Sequence, residues 1–438
     1  MAASSPASRS VAPEALNALS AMEMARGISG GRFTAEAVMR ACLERVAARE
    51  PEVKAWAALD AEKALAAARL ADRTSARGLL HGVPFGVKDV IDTGELPTAM
   101  GSPLYEGYRP RVDAACVALA RAAGALVLGK TITAEFAGSA PTHTHNPLAL
   151  ERTPGGSSSG SAAAVADLMV PVAYGTQTGG SILRPASFCG VIGFKPTFGT
   201  FNPVGVKPAA ESFDTVGLIA RTLDDIELFA SVLSNDEAMH VVPETPPRVG
   251  IFRTHLWDTA QPETVEAIEV AAHTLGSAGA TVIEIPVPAY FERMTAERAV
   301  INAYERAQSL AAEWQFGRDA FSPQMIATCE KGFAIGRHEY VEAQIHVAQY
   351  RRAVAGLFEQ VDVLLTPCVP GEAPEGLAYA GDPRFQEIWT MLHLPSLTLP
   401  THRGPNGLPV GIQLVAAHYC ETLLLGAARW IGRRFGVG

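Results

Sequence analysis

Apolar positions along the chain follow two different periods. Over residues 13–26 and 34–49 they recur at helical spacing, and 60–74 continues as an alanine-rich third helix. From 79–90 the pattern changes to short apolar runs bounded by Gly and Pro, which reads as the start of a sheet. To about residue 221 such runs alternate with helical stretches, the order expected of an α/β fold. Within it, 113–123 has helical spacing, Gly124 reads as the helix C-cap, and 125–128 as a buried strand. The Pro-rich stretch 240–247 reads as a junction. Beyond it 249–252 and 281–285 read as strands around a helix at 263–277. A long, mostly helical stretch, 289–360, carries no recognisable chemistry. Residues 361–367 and 407–414 return as core strands. No internal repeat is found.

Composition narrows the class. The 438 residues are 48% hydrophobic and 18% charged, enough to bury a large core, and length alone allows two or three domains. A net charge of −9 gives no reason to expect nucleic acid or an anionic membrane as partner. The six cysteines are scattered without a C-x-x-C pair and read as free, mostly buried thiols in a reducing compartment. Residues 1–13 lack the apolar core of a signal peptide, and no apolar run reaches the roughly 18 residues of a membrane span. The expectation is a cytoplasmic protein.

The chemistry concentrates in two Gly-Gly-Ser triplets, ending at Ser157 and Ser181. Paired glycines turn tightly and expose consecutive N–H groups, and a serine beside such groups suits acyl transfer. A Ser/Gly linker would have the same composition, but 162–166 and 169–173 between the triplets are apolar and call for burial. None of the eleven histidines offers an evident base. His143 and His145 lie in the turn-rich run 141–147, and the G-x-S-x-G arrangement is absent around both serines. Lys88 is the alternative base: it ends an apolar run of Val83, Phe85 and Val87, where desolvation favours the neutral amine. Residues 124–131 satisfy the G-x-x-x-x-G-K-[ST] pattern of nucleotide-binding loops, but the preceding helix and following strand reject that reading. No H-E-x-x-H occurs, and His143-x-His145 alone is weak, so no metal or cofactor is expected.

These blocks resemble the amidase signature family of serine hydrolases. T-P-G-G-S-S-S-G-S-A-A-A-V over 153–165 is similar to that family's core block. G-T-Q-T-G-G-S-I-L-R-P-A over 175–186 and C-G-V-I-G-F-K-P-T over 189–197 are similar to its second block. Fainter likenesses lie at 82–89, 212–217 and 407–414. The resemblance implies one amidase domain over 1–438: amino-terminal helices at 13–76, the signature core at 79–221, a variable region over the site at 240–360, and a return to the core at 361–438. Its fold would be one large mixed β-sheet covered by helices on both faces. It makes Ser181 the nucleophile, Ser157 the bridging serine after a cis Gly156–Ser157 peptide, and Lys88 the general base. Thr178, Gly179, Gly180 and Ser181 would line the oxyanion hole through their N–H groups.

Departures from the common pattern bear on specificity. Gln177 stands where many members have Asp. Leu183 occupies the usual arginine position and Arg184 follows it, which looks like the malonamidase branch, where the corresponding arginine recognises a carboxylate. Gln177 and Arg184 are therefore substrate-binding candidates. Arg184 either grips a substrate carboxylate or pairs with an internal acid as a brace. The resulting expectation is a hydrolase for a small linear amide, malonamate-like or urea-derived such as biuret. A general aliphatic or aryl amidase, or the glutamine-cleaving subunit of a tRNA amidotransferase, is the alternative. Its expected partner is a small-molecule amide, with no nucleic acid and no membrane; a homodimer is left open.

Overall fold

The computed structural model describes residues 13–240 and 246–437. The leader reading of 1–13 and most of the Pro-rich junction fall outside the described residues. Eleven strands form one sheet: β1 (Trp56–Leu59), β2 (Pro84–Lys88), β3 (Leu126–Thr131), β4 (Val172–Gln177), β5 (Ile192–Lys195), β6 (Thr215–Ala220), β7 (Arg248–Ile251), β8 (Thr281–Glu284), β9 (Val363–Pro367), β10 (Ser396–Arg403) and β11 (Pro409–Val415). Their order is β1-β3-β2-β4-β6-β5-β10-β11-β9-β7-β8. The sheet is mixed. β2 runs parallel to both β3 and β4, and β7 to both β8 and β9, while the remaining pairs are antiparallel. Every residue of β2, β4, β6, β9 and β11 is buried. Successive strand residues point to opposite faces, so both faces of the sheet are covered. Fourteen α-helices among the described residues accompany the sheet.

Local chemistry explains where the helices start and stop. Thr34 caps the helix Ala35–Val53, Asp60 caps Ala61–Arg73, and each side chain accepts the N–H three residues on. The expected first helix is broken: a 3₁₀ turn, Pro13–Ala18, gives way to Ala21–Ser29, which Ser20 and Glu23 start with a reciprocal capping box. Gly124 follows the helix Ala115–Ala122 at φ +96, and its P-loop-like run continues directly into β3. There Lys130 is buried, bonded to Ile91 O (2.7 Å) and Thr98 Oγ1 (2.6 Å) and paired with Asp89. The stretch 289–360 resolves into Phe291–Ser309, Ala311–Gly317, Pro323–Ala334 and Arg337–Ala353. The six cysteines are free, five of them buried.

The short helix Ser159–Ala166 packs on β2, β3, β4 and β6. It comes so close that a Cβ on Gly160 would overlap the Ala55 carbonyl oxygen and the Ile132 nitrogen. Only glycine fits there. Gly160→Ala is expected to destabilise the fold by about 1–3 kcal/mol, by pushing this helix off the sheet. Thermal denaturation checks it, and a wild-type melting point would show that the contact has slack.

Candidate active site

β2 ends on Lys88, and the pleat decides which way that lysine points. Phe85 and Val87 turn to one face, where the Phe85 ring lies 4.9 Å from Tyr174 and 5.9 Å from Phe229. Gly86 and Lys88 turn to the other. Lys88 is fully buried. Its Nζ is 2.7 Å from Ser157 Oγ, 2.7 Å from Thr176 Oγ1 and 3.4 Å from Thr176 O. Burial pushes this amine well below its ordinary value; the Asp214 carboxylate pulls it back up, and the Arg306 cation lowers it further. A neutral amine has two hydrogens and one lone pair. In the neutral form, with Thr176 accepting both hydrogens, the lone pair would be left for the Ser157 hydroxyl.

Ser157 is delivered by Gly155 and Gly156, which take φ of +84 and +63, a region that costs glycine nothing. A Cβ on Gly156 would stand 2.7 Å from Pro185 Cδ and 3.3 Å from Ser181 Cα, so the two serine loops lie against each other. The cis peptide expected before Ser157 is not present: no described residue has one. The two left-handed glycines make the turn instead, and Ser157 reaches Lys88 across a trans bond. Ser157 Oγ and Ser181 Oγ are not hydrogen-bonded to each other here, so the Lys88–Ser157 leg of the expected relay is made and the second leg is open.

Ser181 lies at the edge of a cavity of about 340 Å³, also lined by Thr178, Gly179 and Gly180. The carbonyls of this loop are tied back into the protein. Arg298 Nη2 donates to Thr178 O (3.3 Å), Thr390 Oγ1 to Gly179 O (2.7 Å), and Arg184 N to Gly180 O (3.0 Å). The N–H groups of Gly179, Gly180 and Ser181 have no acceptor among the described residues. Held carbonyls and unused N–H groups are what an oxyanion site requires.

Gln177 has a different place from the one expected. It is fully buried and does not line the cavity. Its Oε1 accepts from Ile182 N (2.9 Å) and Leu183 N (3.1 Å), and its Nε2 donates to Thr390 Oγ1 (2.9 Å). Both ends of the amide are used, so Gln177 braces the loop from beneath. Arg184 does line the cavity. It is buried, its Nη1 donates to Gly381 O (2.6 Å), its Nε has no partner, and it makes no ion pair among the described residues. Burial lowers its pKa to about 10, which leaves it cationic at neutral pH. Of the two acids nearby, Glu387 pairs with Arg298 and Asp382 with Arg384.

The sequence reading missed Thr176, Asp214, Arg298, Asn302, Arg306 and Glu387. Arg298, Asn302 and Arg306 all line the cavity, and their four-residue spacing puts them on one face of the helix Phe291–Ser309. That spacing was legible; which way the face turned was not. His143 and His145 stand apart from the cavity, and His145 Nδ1 is 2.5 Å from Leu150 O. Among the described residues no three His, Cys, Asp or Glu side chains are grouped to hold a metal ion, and no helix is long and apolar enough to cross a membrane.

Comparison with known proteins bears on the fold and the family. A glutamyl-tRNA(Gln) amidotransferase subunit from Roseiflexus sp. (strain RS-1) is 34% identical, over 94% of this chain and 95% of its own. The protein of the same name from Anaeromyxobacter sp. (strain K) is 33% identical, over 94% and 96%. Among solved structures, one described as an amidase superposes with a TM-score of 0.88 at 29% identity, covering 95% of this chain and all of that one. A chain from a vestigial protein complex that reveals the origins of an s-triazine catabolic enzyme, with inhibitor bound, gives 0.88 at 28%, covering 96% and 99%. These relatives correct one expectation. Proteins named as part of a tRNA amidotransferase overturn the call of a small-molecule partner alone with no nucleic acid. The malonamidase likeness gains no support from them. The Amidase family's sequence profile matches residues 37–425, and with the sheet and relatives described above this chain belongs to that family of amide-hydrolysing enzymes.

Proposed function

We propose that this chain cleaves the amide of a small carboxylate-bearing substrate through an acyl-enzyme on Ser181, with glutamine as that substrate and the chain working within a multi-subunit, tRNA-linked amidotransferase. The observation that carries the carboxylate is Arg184, a buried cation beside Ser181 with no anionic partner of its own among the described residues. A planar guanidinium takes a carboxylate through two parallel bonds. The name of the relatives, which makes them part of a glutamyl-tRNA(Gln) amidotransferase, supports glutamine and a multi-subunit setting. It gives no support to malonamate or biuret. The unbroken sheet supports reading the chain as one amidase domain.

The reaction runs in two halves. Ser181 Oγ attacks the amide carbon while its proton passes to Ser157 and the Ser157 proton to Lys88. The oxyanion rests on the N–H groups of Gly179, Gly180 and Ser181. The C–N bond then breaks, and ammonia leaves with the proton returned through Ser157. Water repeats the relay to hydrolyse the ester and release the acid. The open Ser157–Ser181 contact closes when substrate is bound, since such bonds are often long in empty sites. A second reading, a free-standing amidase, is favoured by Gln177 and by Leu183 in the usual arginine position. Ammonia release from glutamine and from a panel of neutral amides by the purified chain, with and without partner subunits, decides between them.

Ser181→Ala is expected to abolish turnover and covalent labelling by a fluorophosphonate probe without altering the melting point. Labelling of that variant would move the nucleophile elsewhere. Because Lys88 acts as the neutral amine, kcat/KM is expected to rise with pH through a midpoint well below the roughly 10.4 of a free lysine. Lys88→Ala should be nearly inactive throughout the range, and a flat wild-type profile would exclude Lys88 as base. Arg184→Ala should raise KM for acidic amides by the equivalent of about 1.5–3 kcal/mol and spare neutral ones, with little recovery in Arg184→Lys. Equal losses on acidic and neutral amides, with a lowered melting point, would make Arg184 a scaffold residue.

A further inference from the structure

Asp214 immediately precedes β6, and its position follows from the ladder. β6 runs antiparallel to β4 with Thr215 opposite Gln177, so Asp214 lies across from Thr178, the first residue of the oxyanion loop. Its carboxylate is fully used. Oδ1 accepts the Thr178 hydroxyl at 2.5 Å, and Oδ2 accepts the N–H groups of Ala209 (2.6 Å) and Ala210 (3.1 Å). All three donors are neutral. Asp214 is thus a buried acid with no ion pair among the described residues; burial pushes its pKa up, and the Thr178 hydroxyl, the two N–H groups and the Arg306 cation pull it back down.

We propose that Asp214 is a positioning residue for catalysis. It pins Thr178, and with it the oxyanion loop, and it supplies the fixed negative charge that faces Lys88 when the amine takes up a proton. The proposal rests on the reading of Lys88 as base. Each proton taken from Ser157 turns Lys88 into a buried cation beside another cation, Arg306, which the helix Phe291–Ser309 brings in and whose Nη1 donates to Phe136 O (2.9 Å). Asp214 is the carboxylate that acts on Lys88 in this setting. Asp214 and Thr176, the acceptor for the Lys88 amine, line one small cleft. Lys207 lines it too, but its charge is matched by Glu313. One carboxylate therefore serves both halves of the site: the loop that receives the oxyanion, by a hydrogen bond, and the base that receives the proton, by its field.

The two roles separate experimentally. Asp214→Asn removes the charge and keeps an oxygen for Thr178. Without the charge the lysine is easier to deprotonate, so the rising limb of kcat/KM should move to lower pH by about one unit, while the plateau falls because the protonated base is less well stabilised. Asp214→Glu keeps the charge, and its limb should stay where the wild type has it. Thr178→Val removes only the hydroxyl bond; it should lower kcat by about tenfold or more with KM and the limb unchanged. A purely structural Asp214 would lower the melting point of Asp214→Asn and leave its limb in place, which overturns the proposal. So does a Thr178→Val with wild-type kcat, the decisive measurement where the Asp214 variants do not fold. A flat wild-type profile instead defeats the Lys88 reading itself, and the proposal falls with it.

Discussion

The constraint from which the rest of this structure follows is the burial of the Lys88 amine. A lysine with no exposed surface must either find a carboxylate or lose its charge. Lys130, one strand away, takes the first course and pairs with Asp89. Lys88 is pushed toward the second: burial lowers its pKa, and its three contacts within hydrogen-bond reach are neutral oxygens of Ser157 and Thr176. Two lysines on adjacent parallel strands, both fully buried, are thus set to different tasks by what the next residues supply. The cost of withholding an ion pair from Lys88 is met by the packing around it, with Phe85, Tyr174 and Phe229 on the opposite face of the same strands.

Rigidity of the serine loops has the same origin. Several side chains of these loops are tied to the backbone or to one another. Ser158 bonds the backbone of Thr176, Ser161 that of Tyr174, and Ser159 the hydroxyl of Thr142. Gln177 takes the two N–H groups just beyond Ser181. Beside Ser181 a short run of N–H groups has no acceptor among the described residues. An unpartnered buried donor is destabilising by roughly 1–3 kcal/mol, so a run of them persists only where a neighbouring network over-determines the backbone. The network here is Gln177, Thr390 and Thr178–Asp214.

Much of this was legible in the sequence, and the boundary has physical causes. The alternation of short apolar runs and helices gave the α/β class, and Gly124 stood out as a helix end because only its backbone freedom suited that place. The serine pair and Lys88 were legible because each breaks a rule: serines in an apolar stretch, a lysine ending an apolar strand. β1 and β10 were not found, since β1 is a four-residue edge strand with one buried position and β10 loses its burial halfway along. Gln177 was misplaced for a different reason. A side chain four residues before a nucleophile is near it in either role, and the sequence does not say whether its amide points to the cavity or to Thr390. Asp214, Arg298 and Arg306 come from segments distant in the chain, and only the fold puts them at one site.

Arg184 shows how a one-residue change of spacing turns a side chain toward a different surface. Consecutive residues of a helix are rotated by about 100° around its axis. In the helix Leu183–Cys189, Leu183 is fully buried in the main hydrophobic core, and the next residue turns to the cavity. An arginine moved from the position of Leu183 to 184 is therefore carried from one side of the helix to another, while the nucleophile on the preceding turn stays where it was. The gap between Ser181 and the guanidinium is then fixed by helix geometry and by the bond from Arg184 to Gly381. On the proposed reading a substrate that touches both must match that gap, which sets the length of chain between its amide and its acid. Residues 137–139, the helices Phe291–Ser309 and Pro323–Ala334, and the segment leading to Glu387 shape the remaining walls. Arg298 is paired with Glu387, and Arg306 donates to Phe136 O. Among the described residues Arg184, like Arg306, lines the wall without an ion pair, and it stands three residues from Ser181 along one short stretch of backbone.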